Sequence, residues 1–342
     1  LVVALLELDQ ASELRRHLGN AEIQKLMQQV REVVLSGARQ NDLARLYELA
    51  KRTLVLDSFS PDLLAEKLFK NPRAEEFSWA VYMAEQQGRP VGFMQSVVRP
   101  AASKAWLGLF AVDARFRHRG LASAMFERAK ENWPPGTGEV EALAIPGNYF
   151  APGLDPRYTE ALCFLERLGF ERFKDCVNLT ADLSERFDTS AEQARLATAG
   201  VEVRRARLED NPLLDAFFAE HFGDDWRFEA GLAMENDPPS LHLALKRSRV
   251  IAFSAHSTQN REWGFFGPMG TAPEARGLGV GRVLLWHCLN DMRDAGHRTA
   301  VIPWVGPIAF YQQWAGCWVE RVFWRYRLRL GTRSEPDARA SA

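Results

Sequence analysis

Val112-Asp113-Ala114-Arg115-Phe116-Arg117-His118-Arg119-Gly120-Leu121-Ala122 runs out of an apolar stretch, Trp106–Val112, into a glycine-bearing turn and then a helical pattern. Its second half, Arg117 to Ala122, recurs as Arg276-Gly277-Leu278-Gly279-Val280-Gly281 at an offset of 159 residues. Upstream, Gly88-Arg89-Pro90-Val91-Gly92-Phe93 resembles Ser248-Arg249-Val250-Ile251-Ala252-Phe253, at an offset of 160. Downstream, Ile145-Pro146 recurs as Ile302-Pro303, at an offset of 157. Three matches in one order at a near-constant offset describe a duplicated unit, and fixed-period self-similarity is the sequence mark of repeated architecture.

Each copy reads the same way. Opening strands are expected over Val30–Arg39 and Val201–Arg207, followed by acidic helix starts at Asp42 and at Glu209-Asp210. A hairpin comes next: Trp79–Ala84 with Val91–Val98 around a Gly-Arg-Pro turn, and Leu241–Leu245 with Val250–His256 around a short charged turn. The apolar strands Trp106–Val112 and Trp263–Met269 lead into the glycine turns. In the helices beyond, Ala122, Met125, Phe126 and Ala129, and likewise Leu285, Cys288, Leu289 and Met292, follow helical apolar spacing. A fifth strand, a last helix (Thr159–Leu168; Pro307–Trp314) and a closing strand complete each copy. The expected fold class is mixed α/β (α+β): two tandem domains, each a mostly antiparallel sheet flanked by helices. The expected domains are 30–183 and 201–330, with an added helix over 1–29, a polar Ala-rich linker over 184–200 and a disordered tail over 331–342.

The 342 residues suit two domains, and 46% hydrophobic with 25% charged residues suits globular cores. A formal net charge of -1, from 43 basic and 44 acidic residues, offers no electrostatic footprint for nucleic acid or an anionic membrane. Leu1–Leu8 is apolar but too short for a span. Cys163, Cys176, Cys288 and Cys317 form no paired spacing and read as reduced thiols of a cytoplasmic protein.

A strand running into Arg-x-x-Gly-x-(Gly/Ala) and a helix makes an anion cradle. The first helical turn has unpaired amides and a partial positive charge, and glycine or alanine lets the backbone approach a phosphate. No Gly-Lys-Ser/Thr is present, which removes a P-loop. The strand before the turn falls fourth in each copy, unlike a dinucleotide fold, where it is first. A tight turn with no ligand explains one such motif; two copies in the same context favour a ligand site.

The unit looks like the acetyl-coenzyme-A-binding motif of the GNAT superfamily, Val-x-Pro-x-x-Arg/Gln-x-x-Gly-x-Gly/Ala. The first copy lacks the proline, with Ala114 in its place, and the second has Thr271 for the valine. The resemblance covers about Val30 to Leu330 and implies acetyl-CoA as cofactor. It places the pantetheine arm along Phe110 and Val112 or Met269 and Thr271. The diphosphate would lie on Arg117, His118, Arg119, Gly120, Leu121 and Ala122, or on Arg276, Gly277, Leu278, Gly279, Val280 and Gly281. Pro268, which cannot donate to a ladder, would mark either the splayed strand of such a site or an edge.

Acetyl transfer to an amine needs a neutral amine, a polarised carbonyl and a proton for the leaving thiolate. In the family a tyrosine on the last helix supplies that proton, within Phe/Leu-Tyr-x-x-x-Gly-Phe. Phe310-Tyr311 fits, with one extra residue before Gly316, whereas the first copy has Leu165 at the tyrosine position. Tyr311 is thus the expected general acid. In the first copy the Gly/Pro-rich loop 147–158 would lie beside the thioester. Tyr149, Phe150 and Tyr158 would line an acceptor pocket there or pack as structure. Glu141 and Glu262 are positioned as bases but read better as ordinary strand-end carboxylates, and His118 and His287 as solvated or packed histidines. No metal site is expected. The resemblance therefore implies an acetyl-CoA-dependent N-acetyltransferase acting on a primary amine of a small molecule. Alternatives are acetylation of an amino-sugar conjugate, as in mycothiol synthase, or a non-catalytic acyl-CoA-binding module in one copy.

Overall fold

The computed structural model describes residues 33–330. The expected helix over 1–29 and the tail over 331–342 lie outside the described residues. The chain divides into two compact units, one ending at Lys174 and resuming at Trp324, the other spanning Asp175–Phe323.

In unit 1 the order is β1 (Val33–Gly37), α1 (Leu43–Thr53), α2 (Pro61–Phe69), β2 (Ser78–Gln86), β3 (Arg89–Arg99), β4 (Lys104–Val112), α3 (Leu121–Glu131), β5 (Glu139–Ala142) and α4 (Thr159–Arg167). Strand β6 (Glu171–Asp182) leads into unit 2. There follow α5 (Ser190–Thr198), β7 (Val201–Arg205), α6 (Asn211–His221), α7 (Asp224–Met234), β8 (Leu241–Lys246), β9 (Arg249–His256), β10 (Phe266–Thr271), α8 (Val280–Asp294), β11 (Thr299–Ile302), α9 (Ile308–Ala315) and β12 (Trp318–Arg329).

The two units repeat local devices as well as order. Strands β1 to β4 and β7 to β10 pair antiparallel in succession. The β2–β3 hairpin closes on Gln87-Gly88 and the β8–β9 hairpin on Arg247-Ser248, all four residues at positive φ, the conformation that matches strand twist in two-residue loops. Asp42 and Asp210 accept from the Arg39 and Arg207 amides at 2.9 and 2.7 Å, fixing the chain before α1 and α6. In unit 1, Met125, Phe126 and Ala129 of α3 bury against Met94 and Leu107. In unit 2, Val283 and Leu284 of α8 pack with Leu243 and Phe253, while Leu285, Cys288, Leu289 and Met292 join Phe266 and Ile302. Of the stripes read from the sequence, Leu285, Cys288, Leu289 and Met292 are fully buried, as are Met125, Phe126 and Ala129, while Ala122 is half-buried.

Two features differ from the sequence reading. The segment 184–200 is not a plain linker: α5 occupies Ser190–Thr198, and Leu196 is fully buried in the unit 2 core. The alanine content that suggested flexibility is also helix-forming. Second, the units are not contiguous. The end of β12 pairs with β5 (Arg327 opposite Glu141), and the end of β6 pairs with β11 (Ala181 opposite Ala300). The closing strand beside each fifth strand therefore comes from the other copy's sequence. Equivalent strands of a duplicated unit can exchange at little cost, because each offers the other the same partner.

Leu196→Ala is expected to lower unfolding stability by about 2–5 kcal/mol, read from urea denaturation. A loss under about 0.5 kcal/mol, as at an exposed linker position, would contradict the burial of α5.

Candidate active sites of the two units

Each fourth strand carries a bulge at the same place. Gly108 and Leu109 together oppose Gln95, and Gly267 and Pro268 together oppose Ala255. Just before each bulge the fourth strand loses its parallel neighbour. In unit 1 the last bond is Leu143 N to Leu107 O at 2.6 Å, after which one edge of β4 is unpaired. In unit 2 the strands touch only at the Phe265/Val301 bridge, with Val301 N donating to Gly264 O at 2.8 Å. The Phe110–Val112 and Met269–Thr271 edges expected to meet pantetheine lie on these unpaired stretches.

The strands end in 3-10 turns, Ala114–Phe116 and Pro273–Ala275, that lead to the helix starts. In unit 1 the turn is capped by Asp113. Hydrogen bonds from Arg115, joined by Arg52 and outweighing burial, hold its carboxyl well below the usual carboxylate range. Gly120 and Gly279 sit at the N-caps of α3 and α8 with φ of +75° and +82°, where a side chain is strained. His118 adopts the left-handed region that Gly277 adopts in unit 2, which an exposed histidine tolerates at a cost. From His118 to Ala122, and at Gly277 and Gly279 to Gly281, no amide finds an acceptor among the described residues. The Arg117 and Arg276 amides, expected in the cradle, instead close the 3-10 turns on Ala114 O and Pro273 O, and the Leu278 amide reaches Ala275 O at 3.4 Å. The Arg117 guanidinium bonds Val112 O and pairs with Glu160 at 2.7 Å, and Arg119 lies over Phe116.

The cradles differ in what lies over them. In unit 2, Arg195 of α5 donates to Leu278 O at 2.6 Å, and a Cβ on Gly279 would come within 2.7 Å of its guanidinium. Glu192 pairs with Arg195 and with Arg282, whose guanidinium also stacks 4.0 Å from the Trp314 ring.

Unit 1 has a cavity beside its bulge. Lys67, Gln95, Asn148, Tyr149, Gly108 and Leu109 line it, closed by apolar side chains that include Phe150 and Ile145. Gln95 ties the bulge to α2, donating to Lys67 O at 2.6 Å while the Leu109 amide approaches its Oε1 at 3.4 Å. A Cβ on Gly108 would collide with that amide oxygen, so a larger residue there would push the Gln95 side chain out of this tie. Lys67, its side chain 1% exposed, donates to Glu66 at 2.7 Å and to Asn148 Oδ1 at 3.1 Å. Gln95, Lys67 and Asn148 carried no motif, and nothing in their spacing marked them.

Of the loop residues, Tyr149 and Phe150 reach the cavity. Tyr158 does not line it: its hydroxyl donates to Asp57 at 2.7 Å and accepts from the Leu56 amide at 2.9 Å, anchoring the loop to the α1–α2 connection. Tyr311 takes the inward slot of α9 that Leu165 takes in α4, each followed by two exposed residues and a half-buried one. The extra residue before Gly316 is absorbed at the end of α9. Tyr311 packs on Phe266 and Phe310, burial pushes its hydroxyl above the usual phenol range, and that hydroxyl makes no hydrogen bond among the described residues. Glu141 is held by Lys104 and Arg325, a structural role, and Glu262 is exposed in the Arg261–Trp263 turn.

His287 belongs to a buried polar cluster under α8. It stacks on His242 at 5.0 Å and bonds Gln193 at 3.1 Å. Asp291 receives His242 at 2.7 Å, Arg205 at 2.7 Å and His256 at 3.4 Å. Burial alone would raise the Asp291 carboxyl, but hydrogen bonds from His242 and His256 with the Arg205 charge hold it low. Burial lowers both His242 and His287, the latter to about 4.

Residues 78–172 match the acetyltransferase (GNAT) domain family, and residues 203–316 match the acetyltransferase (GNAT) family. The chain belongs to the GNAT acetyltransferases, with two such domains in tandem. Among solved structures, a GCN5-related glucosamine N-acetyltransferase region of a fungal multi-domain GH3 β-N-acetylglucosaminidase is similar, with a TM-score of 0.73 at 19% identity over 86% of this chain and 38% of that one. This chain thus spans well under half of that protein. A GCN5-related N-acetyltransferase from Sphaerobacter thermophilus gives 0.65 at 15% identity, over 87% of this chain and 96% of that one. A tandem GNAT protein from the clavulanic acid biosynthesis pathway gives 0.63 at 15% identity, over 87% and 98%. At these identities the likeness is one of fold. No curated protein matches the chain. No helix of the GNAT chain, among the described residues, is long and apolar enough to cross a membrane.

The unfolded chain's imidazole protonates near 6.5, whereas folded His287 stays neutral down to about 4. Between those values the unfolded state binds more protons, so stability falls as pH drops, by roughly 1–3 kcal/mol. Urea midpoints measured from pH 7 to pH 4 should decline, and His287→Gln should flatten part of the decline.

Proposed function

We propose that this chain is an acetyl-CoA-dependent N-acetyltransferase that acylates a primary amine of a small molecule by direct attack on the thioester, with unit 1 as its working site. The observation that carries this reading is the run of unpaired amides from His118 to Ala122, beside a β4 edge that is unpaired beyond Leu107 and adjoins a polar-lined cavity. Orphan amides at a helix N-terminus suit a diphosphate, and an unpaired strand edge suits an amide-bearing arm.

Acetyl-CoA, when bound, supplies the activated acyl group. The α3 amides and Arg119 would hold its diphosphate, and β4 at Phe110 and Val112 its arm. The bulge turns the Leu109 amide toward Gln95 and the cavity, where a donor can polarise a carbonyl. Tyr149 lines the same cavity and is the proton donor assigned here, in the unit whose last helix has Leu165. Excluding water falls to Phe150 and Ile145.

A second reading places a site in unit 2, with Tyr311 as general acid. It is supported by Tyr311, whose ring packs on Phe266 and whose hydroxyl makes no hydrogen bond among the described residues, just past the point where β10 and β11 part. Arg195 must then leave the Gly279 cradle or turn toward the diphosphate.

Calorimetric titration with acetyl-CoA, repeated on Gly120→Glu and Gly279→Glu, tests the assignment. Loss of binding only in Gly120→Glu is the expected result; loss only in Gly279→Glu moves the site to unit 2. Tyr149→Phe should lower kcat by about 10²-fold or more, the scale of a lost general acid, with Tyr311→Phe near wild type. The reverse pattern identifies Tyr311 as the donor.

A further inference from the structure

A buried polar chain joins the two groups assigned to the reaction in unit 1. At one end the Leu109 amide of the β4 bulge lies 3.4 Å from Gln95 Oε1, and Gln95 Nε2 donates to Lys67 O at 2.6 Å. At the other end Lys67 Nζ, which also pairs with Glu66 at 2.7 Å, donates to Asn148 Oδ1 at 3.1 Å. Asn148 Nδ2 donates back to Glu66 O at 3.3 Å, and the next residue is Tyr149. The last turn of α2 thus grips the bulge through one backbone oxygen and the loop through the Lys67 side chain. Lys67, Gln95 and Asn148 are each at most 3% exposed.

Unit 2 shows that a bulge does not need this chain. Its bulge residues, Gly267 and Pro268, oppose Ala255. Alanine has no side-chain group to bond, and Pro268, in the place of Leu109, has no N–H. The chain therefore occurs in the copy whose last helix carries Leu165 and whose long loop brings Tyr149, and not in the copy that carries Tyr311. Stability does not call for a lysine either. Taking an ammonium out of water is costly, and apolar residues of similar volume often replace a buried ion pair without loss.

We infer that Lys67 is a positioning residue: it holds Asn148, and so fixes Tyr149 relative to the bulge amide. The inference rests on the reading of Tyr149 as proton donor in unit 1. In that reaction the amine nitrogen forms the N–C bond, and the sulfur leaves with the C–S electron pair and takes the phenol proton. The proton shed by the new amide nitrogen restores the phenol through solvent. Lys67 exchanges no proton in this sequence. It keeps the phenol within hydrogen-bond reach when the C–S bond breaks, which is where proton donation acts.

The test uses the full chain and two readouts. The first is coenzyme A release from acetyl-CoA with ethanolamine, lysine, glucosamine and spermidine as probe amines. Lys67→Met should lower kcat about tenfold or more, the scale of a small misplacement, with KM for acetyl-CoA within about threefold of wild type. In a Tyr149→Phe background the same change should cost less than about twofold, because the group that it places is gone. The second readout is ¹⁹F NMR of protein labelled with fluorotyrosine at its six tyrosines, Tyr149 being assigned by its loss in Tyr149→Phe. Lys67→Met should shift the Tyr149 resonance and leave those of Tyr311 and Tyr326 in place. If Lys67→Met fails to melt cooperatively, Asn148→Ala, which removes the same bond from the loop side, replaces it in both readouts. Wild-type kcat in the variant, equal losses in the two backgrounds, or an unmoved Tyr149 resonance overturns the inference. Tyr149→Phe at wild-type kcat, or no coenzyme A release with any of the amines, overturns the proton-donor reading instead, and the Tyr149 resonance still decides whether Lys67 fixes the loop.

Discussion

The early parting of the fourth and fifth strands governs the rest of each unit. A parallel pair that continued past Leu107 would satisfy both edges of β4 and leave nothing for a ligand to bond. Because it stops there, backbone groups inside the fold lack partners, a state that folded proteins accept only where water or a ligand can supply them. The bulge adds to the effect: two residues against one, Gly108-Leu109 or Gly267-Pro268, bend the strand where the pairing fails. The helix that follows then starts with its own unpaired amides at the far end of the same edge. Each unit thus has two separate places with backbone groups to spare, the strand edge beyond the parting and the helix start, with the bonded 3-10 turn between them.

Duplication kept this constraint and let the surroundings diverge. The offset of 159 residues carries Gly108 onto Gly267 and Gly120 onto Gly279, the positions where a bulge or a left-handed N-cap restricts the side chain. His118 against Gly277 shows where the backbone demand is softer, since an exposed histidine takes the same positive φ. Above the cradle the copies part company. Arg195, Glu192 and Arg282 form a charged clasp over the unit 2 turn, with Gly279 half-buried beneath it, whereas Gly120 is exposed among the described residues of unit 1. The unit 1 cavity is lined by buried polar side chains from α2, β3 and the loop after β5, whereas in unit 2 Tyr311 packs on Phe266 and Phe310.

Much of this was legible in the chain because it depends on backbone demand and periodicity. The repeat, the hairpins, the glycine turns and the buried stripe Leu285, Cys288, Leu289 and Met292 all express local rules that residues announce. The exchange of β6 and β12 was not legible, since a strand's pattern records which faces are buried and not which of two equivalent edges it joins. Helix α5 is not legible because a segment rich in alanine and charge satisfies both a linker and an amphipathic helix, and the burial of Leu196 decides between them. Lys67, Gln95 and Asn148 come from three elements far apart in sequence. Their convergence is a property of the packed fold, and a lysine in the last turn of α2 looks like any surface lysine until the helix is docked.

The last helix of each unit carries a different residue at the same inward slot. Leu165 and Tyr311 occupy one inward slot in α4 and α9, each in the core of its unit. Leucine there completes the unit 1 core alongside Phe170 and Tyr326, so any proton donor for that unit has to come from elsewhere. The loop after β5 is the element with the reach to do so. It is tied at one end by Asn148 to Glu66 and Lys67, and at the other by Tyr158 to Asp57 and the Leu56 amide. Tyr149 sits between these two anchors. A side chain on a loop held at both ends is as well positioned as one on a helix, which is what proton transfer within hydrogen-bond reach requires.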